Sequence, residues 1–195
     1  MNIEEILKNV PDKRQNKGTT SIQFKKSFYE FFINQPDARI APAVELGTHY
    51  GYSTRLMSFL FDRVITFDNV LERTEMAKDF NKDRDNISFY TEDIYELPWW
   101  EKVHSSSVCF IDAMHDYDSV TADIENSLKI IAPGGYLVFD DFGLFPEVKS
   151  AVLESIQRGE LALVKYLGEP AGSTCRTGKV LQDWEGIVCQ RTAPA

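Results

Sequence analysis

Between Ala43 and Ser58 the chain reads Ala-Val-Glu-Leu-Gly-Thr-His-Tyr-Gly-Tyr-Ser-Thr-Arg-Leu-Met-Ser. A short apolar strand stops at Gly47, a tight loop runs to Gly51, and Leu56, Met57 and Leu60 then recur at helical spacing. Gly47 and Gly51 carry no Cβ, so the chain can bend sharply there and bring bare backbone against a ligand. The first amides of the following helix point at whatever occupies that turn. Strand, glycine loop and helix in this order predict the first turn of a nucleotide-type site at the carboxyl ends of an open α/β sheet. An ordinary strand-to-helix turn containing glycine is the plainer alternative.

The spacing Glu45-x-Gly47-x-x-x-Gly51 departs from the G-x-G-x-x-G of pyrophosphate sites. Glu45 would repel a pyrophosphate and attract a ligand with an ammonium or another cationic group, directly or through water. S-adenosylmethionine, with a sulfonium and an α-ammonium, fits that electrostatics. The run E-L-G-x-x-x-G-Y-S-T over Glu45–Thr54 resembles the first motif of class I S-adenosylmethionine-dependent methyltransferases. The likeness is greatest to the catechol O-methyltransferase-like and macrocin O-methyltransferase-like small-molecule groups. It covers roughly residues 40 to 145 and fades outside them.

The rest of the chain alternates strand and helix. Residues 2–9 read as a short helix, and Pro11 to Thr20, with Lys13, Arg14 and Lys17, as a loop or mobile flap. Phe24, Phe28, Phe31 and Phe32 recur at helical intervals, an aromatic stripe suited to packing on a sheet. Strands are expected at Val44 to Leu46, Val64 to Phe67, Ile87 to Tyr90, Val108 to Ile111 and Tyr136 to Phe139, with a final pair at Leu163 to Leu167 and Gly186 to Gln190. Helices are expected over Leu71 to Asn81, Val120 to Ile131 (stopped by Pro133-Gly134-Gly135) and Val148 to Gln157. The connection between the last two strands is short and rich in Gly and Pro, which suits an antiparallel end. The pattern predicts a Rossmann-like α/β fold, mostly parallel, with helices on both faces. The resemblance implies seven strands in the order 3-2-1-4-5-7-6, an N-terminal helical segment and cap over residues 1–39, and a methyltransferase domain over 40–195, together one globular unit.

Acidic residues at strand ends form a second layer. Asp68 follows the second strand directly and is placed to accept the hydroxyls of a ribose; a solvated strand-end carboxylate is the alternative. The resemblance implies that Asp93 contacts the adenine amino group, with Ile94 against the ring and Glu92 an adjacent competitor. Within the glycine loop His49 lines the cofactor site rather than performing chemistry. The full cofactor set it implies is Glu45, Gly47, His49, Gly51, Ser53, Asp68, Asp93, Ile94 and Asp112.

Asp112 ends the fourth strand, and Asp140 and Asp141 end the fifth. If those strands are neighbours, about 4.8 Å apart, their carboxylates converge on one rim and repel unless a cation or protons neutralise them. Hard oxygen ligands point to Mg²⁺ or Ca²⁺. Asp112, Asp140 and Asp141 match the acid positions of metal-dependent O-methyltransferases; a cofactor contact at Asp112 and a helix cap at the pair is the plainer reading. His115 lies three residues past Asp112, where catechol O-methyltransferases carry a lysine, and the Asp-x-x-His-x-Tyr pattern is similar to the macrocin-like groups. An imidazole can take a hydroxyl proton near neutral pH, so Asp112 and His115 are the candidate catalytic pair, with a capping role for His115 as the alternative.

Two further segments are candidates for the acceptor pocket: Leu97-Pro98-Trp99-Trp100, equally explained as core, and Gly168 to Trp184 with Ser173, Thr174, Arg176 and Lys179, a candidate lid. His104 receives no role. Cys109, Cys175 and Cys189 are odd in number and widely spaced, which argues for reduced thiols and a cytoplasmic location. The acidic, amphipathic N-terminus does not resemble a signal peptide, and no apolar run reaches the roughly 18 residues of a membrane span. The net charge of −9 disfavours a nucleic-acid partner. The expected activity is metal-assisted O-methylation of a small-molecule hydroxyl, with a homodimer as a candidate assembly. Metal-independent N-methylation and a catalytically silent cofactor-binding protein are the alternatives.

Overall fold

The period-two pleat of the strands divides the core into two layers. Val44, Leu46, Ile65, Phe67, Cys109, Ile111, Leu137 and Phe139 pack on one face, while Ala43, Val64, Val108, Phe110 and Val138 pack on the other. A computed structural model describes residues 2–12, 19–174 and 178–193. Lys13, Arg14 and Lys17 of the expected flap, and Cys175 and Arg176 of the expected lid, lie outside the described residues.

The strands are β1 (Ala43–Leu46), β2 (Val64–Asp68), β3 (Ile87–Thr91), β4 (Ser106–Ile111), β5 (Ile131–Phe139), β6 (Leu161–Leu167) and β7 (Gly186–Arg191). They form a seven-stranded sheet in the order β3-β2-β1-β4-β5-β7-β6. Pairing is parallel from β3 to β5, and β7 runs antiparallel to both β5 and β6. Order and end-pair direction are those expected. The helices are α1 (Ile3–Leu7), α2 (Ile22–Ile33), α3 (Pro36–Ile40), α4 (Tyr52–Leu60), α5 (Leu71–Phe80), α6 (Tyr117–Ile130) and α7 (Pro146–Gln157).

The longer helices that cover the two faces turn their apolar sides inward. Phe24, Phe28 and Phe32 of α2 join Leu56, Met57 and Leu60 of α4 on one face. Ser21 caps α2 by accepting the Phe24 amide at 2.9 Å. Buried Glu185 accepts the Ser21 amide at 2.8 Å and the Ser21 hydroxyl, tying the start of α2 to the segment before β7. On the other face Val120 and Ile124 of α6 and Val148 and Val152 of α7 close the core, with Asp116 capping α6 through the Ser119 amide at 3.0 Å.

One local expectation is corrected, and one open alternative is decided. β5 begins at Ile131 and runs through Pro133-Gly134-Gly135, rather than at Tyr136 after a break. Ile131 pairs with Ser106, and a register shift between Ser106 and Val108 absorbs the glycines, as expected of a bulge. Trp99 heads a 3₁₀ turn (Trp99–Lys102) and is fully buried with its ring 5.6 Å from Phe67, so it is core rather than acceptor surface. Among the described residues no helix is long and apolar enough to cross a membrane. Cys109 and Cys189 are buried and unbonded to sulfur.

Candidate active site

The strand order puts the carboxyl ends of β1, β2, β4 and β5 on one rim, where the outgoing turns enclose a cavity of about 350 Å³. A volume of that order suits a small-molecule ligand. Gly47, His49, Asp68, Asp93, Ile94, Asp112, His115, Asp140 and Asp141 all reach its wall, joined by Thr19, Arg73, Tyr95, Met114, Leu144 and Phe145. Glu45, Gly51 and Ser53 do not.

The β1 turn explains that division. Gly47 and Gly51 have φ of +96° and +74°, and His49 between them is also left-handed at +46°. A Cβ on Gly47 would lie 2.2 Å from the Asp112 carbonyl oxygen, so bareness there serves the β1–β4 approach. On Gly51 a Cβ would meet Asn81 Nδ2 at 2.6 Å, making that glycine a packing contact between α4 and α5. Ser53 faces a small crevice with Phe24, Lys25 and Met57, on the α2 side.

Glu45 shares pleat parity with Ala43, so its side chain enters the layer beneath α4 rather than the cavity. It is fully buried, and Oε2 accepts from Thr54 Oγ1 at 2.5 Å and Thr66 Oγ1 at 2.6 Å. Oε1 has no hydrogen-bond partner among the described residues. Burial pushes its pKa up to about 8, against the two hydroxyl bonds, which lower it. The carboxylate expected to attract a cation is thus largely neutral near pH 7.

That shift carries a stability prediction. The ordinary value is 4.5, so the folded chain holds a proton between about pH 4.5 and 8 that the unfolded chain releases. Stability from this site is complete below the lower value and is lost as pH rises towards the upper one. Glu45→Gln keeps a neutral acceptor and removes the titration. Its melting temperature relative to wild type should therefore climb by several degrees between pH 5 and pH 9, at about 2–4 °C per kcal/mol for this chain length. A difference that stays constant across that range would refute the assignment.

On the cofactor side, Asp68 is buried and doubly anchored. Its Oδ2 accepts the His49 amide at 2.8 Å and its Oδ1 the Val70 amide at 2.9 Å. These bonds hold the carboxylate at the cavity edge with lone pairs to spare. The pKa of His49 is lowered, first by burial and then by the Arg73 cation, so the imidazole is neutral at physiological pH. Asp93 accepts the Tyr95 amide at 2.9 Å, which turns the chain after β3 so that buried Ile94 faces the cavity. Glu92 is engaged by Lys102.

At the far side the β4 and β5 ends converge. His115 Nε2 lies 3.3 Å from Asp141 Oδ2 and 3.6 Å from Asp112 Oδ1. Its ring stacks on Phe145 with centroids 4.5 Å apart and planes within 5°. Asp141 has a left-handed φ of +59°, and its carbonyl accepts the Leu144 and Phe145 amides at 3.0 Å each, folding the β5–α7 turn back under His115. Local strain at a site of converging charge is common where geometry serves function. Asp112, His115 and Asp141 each offer a ligand atom within 4.8 Å of the others. Asp140 lines the same cavity but stands outside that set. His115 was expected as a base and enters the potential ligand group as well. Phe145 and Tyr95 were not singled out from sequence, because lone aromatics in turns carry no periodic signal.

An open parallel sheet with an acid after β2 and a cavity at the β1/β4 reversal defines a Rossmann-like protein that binds a nucleotide-type cofactor. Residues 44–142 match the family described as a methyltransferase domain, and the chain belongs to that family: it is an S-adenosylmethionine-dependent methyltransferase of class I. The O-methyltransferase from Bacillus cereus in complex with SAH is similar in structure, with a TM-score of 0.67 and 18% identity over 98% of this chain and 90% of that one. TomG, an O-methyltransferase from Streptomyces achromogenes in complex with SAM, gives 0.69 and 14% over 98% and 88%. The tRNA (m1A58) methyltransferase TrmI from Aquifex aeolicus gives 0.67 and 19% over 100% and 77%. At such identities the likeness establishes the fold. No curated protein sequence matches the chain significantly.

Proposed function

We propose that this methyltransferase transfers a methyl group to a hydroxyl of a small molecule, with His115 as the base and a divalent cation assisting. The observation that carries the reading is the position of His115 Nε2 within 3.6 Å of two carboxylates on the wall of the cofactor cavity. S-adenosylmethionine, when bound, supplies a methyl group on a positively charged sulfur. Its fit rests on Asp68, whose two anchored oxygens suit ribose hydroxyls, and on Ile94, a buried apolar wall suited to a flat ring. Asp93 is the proposed partner of the adenine amino group. The backbone from Gly47 to Gly51, with neutral His49, borders the amino-acid portion. Glu45 and Ser53 act from beneath that loop and Gly51 through packing.

His115 takes the acceptor hydroxyl's proton, and Asp141 and Asp112, both beside its Nε2, stabilise the imidazolium that forms. Phe145 holds the ring edge towards those carboxylates. Asp112 and Asp141, whose ligand atoms lie within 4.8 Å of each other, would hold Mg²⁺ or Ca²⁺, with Asp140 as the third proposed acid, and the cation would supply Lewis-acid assistance to the substrate oxygen; carboxylate oxygens suit such hard cations. The enclosed cavity and the net charge of −9 favour a small acceptor over a nucleic acid. Residues 1–39 are proposed as a cap on a methyltransferase domain over 40–195, supported by Thr19 on the cavity wall, and the enzyme is proposed to work in the cytoplasm.

Two measurements test this reading. Isothermal calorimetry should show S-adenosylhomocysteine binding with NAD and ATP far weaker; preferential NAD binding would overturn the cofactor assignment. Adding Mg²⁺ or Ca²⁺ should raise the melting temperature, because a ligand bound only to the native state stabilises it by mass action. The response should weaken in Asp141→Asn. Identical melting with and without the ions removes the cation and leaves His115 alone. Methyl transfer to amines but not to hydroxyls, insensitive to a chelator, would establish the N-methyltransferase alternative.

A further inference from the structure

The Tyr95 hydroxyl joins the turn after β3 to α6 and to the connection that leads from β4 into it. The ring lines the cofactor cavity one residue beyond Ile94. The phenol donates to Asp123 Oδ2 of α6 at 3.1 Å and accepts the Met114 amide at 3.3 Å. Met114 lies between Asp112 and His115, in the short connection from β4 to α6 that carries both. Asp123 is 1% exposed, on the side of α6 that also buries Val120, Ile124 and Ser127, and its Oδ1 has no hydrogen-bond partner among the described residues. Burying a carboxyl costs free energy that hydrogen bonds must offset, and the bond from Tyr95 is the one that Oδ2 receives.

We propose that Tyr95 is a positioning residue for methyl transfer: through Asp123 and the Met114 amide it clamps the Asp112–His115 segment to α6 and to the adenine-side turn. The role rests on the reading of His115 and Asp112 as the reacting pair. A turn of a few residues with an unpaired amide has several conformations, and only some leave His115 between Asp112 and Asp141. Accepting the Met114 amide selects one of them, and donation to Asp123 fixes the rotation of the phenol. Burial is the main cause that raises the Asp123 pKa to about 7 and the Tyr95 pKa above its ordinary value, so the phenol remains a donor under working conditions.

Tyr95→Phe keeps the cavity wall and removes the clamp. The expected result is a kcat lower by about 10–100-fold, as for other groups that orient a reacting residue, with KM and the Kd for S-adenosylhomocysteine within about threefold of wild type. The Met114 amide should exchange with deuterium about tenfold faster or more, reflecting one lost hydrogen bond. Asp123→Asn retains an oxygen acceptor and should keep kcat near wild type. Asp123→Leu should reproduce Tyr95→Phe, and the double variant Tyr95→Phe/Asp123→Leu should be no slower than either, as for two parts of one device. Unchanged Met114 exchange in Tyr95→Phe overturns the clamp, as does equal loss of kcat in Asp123→Asn and Asp123→Leu. A wild-type protein that methylates no hydroxyl strikes the O-methylation reading instead. In that case the Met114 exchange rate alone decides for or against the clamp.

Discussion

His115→Ala should lose about 10²–10⁴-fold in turnover on an accepted hydroxyl substrate, the range spanned by a positioned general base. The imidazole lies between Asp112 and Asp141 and flat against Phe145, and in the proposed reading it faces the acceptor, so cofactor affinity should hardly change. Removal of the ring also leaves two carboxylates facing each other without the group between them. The variant should therefore depend more strongly on added Mg²⁺ than wild type does. Wild-type transfer should rise with pH as the imidazole gives up its proton, and the variant should lack that limb. His115→Lys should recover part of the rate, since an amine can serve as base once it has lost its proton. Single-turnover kinetics with a labelled methyl donor would read all of this. An unchanged rate and pH profile in His115→Ala would take the residue out of the mechanism.

The second large effect is expected at Asp68. Asp68→Ala should weaken S-adenosylhomocysteine binding by about 1.5–3 kcal/mol, the contribution of charge-assisted hydrogen bonds to two ribose hydroxyls. The same change releases the amides of His49 and Val70, so the β1 loop should loosen and the melting temperature should fall as well. Asp68→Asn separates the two contributions. It keeps one acceptor for a backbone amide and loses the charge, so it should restore part of the melting temperature while binding stays weak. Calorimetry beside thermal unfolding distinguishes these outcomes; wild-type affinity in Asp68→Ala would remove the residue from the cofactor site.

Much of the architecture was legible because its signals are local. The runs that became β1, β2 and β4 are mostly apolar, with Glu45 and Thr66 the polar exceptions inside the first two, as suits strands covered on both faces. The Phe24, Phe28 and Phe32 stripe named its buried face without reference to any other element. Pro133-Gly134-Gly135 misled for the same local reason: the residues that usually break structure were absorbed by a bulge that depends on the β4 register. Trp99 could not be divided between core and pocket until Phe67 and the sheet were in place.

The site separates in the same way. Strand-end positions placed Asp68, Asp93, Asp112, Asp140 and Asp141 on the rim, since a residue at the carboxyl end of a parallel strand has no other destination. The glycine loop was correct in shape, but Gly47 and Gly51 proved to be bare for Asp112 and Asn81, contacts distant in the chain. Glu45 showed its carboxylate in the sequence; pleat parity and the hydroxyls of Thr54 and Thr66 made it a buried, largely neutral group.

Local sequence, then, marked most of the strands and helices, though not where β5 starts, and the acids that follow the strands. Those properties follow from short-range sterics and hydrophobic spacing. Tertiary structure alone decided that His115 meets Asp141 as well as Asp112, that Phe145 stacks beneath it and that Tyr95 reaches Met114. Each of these contacts joins turns from different strands. It exists only once non-local pairing has set β4 beside β5 and the connection after β3 against α6.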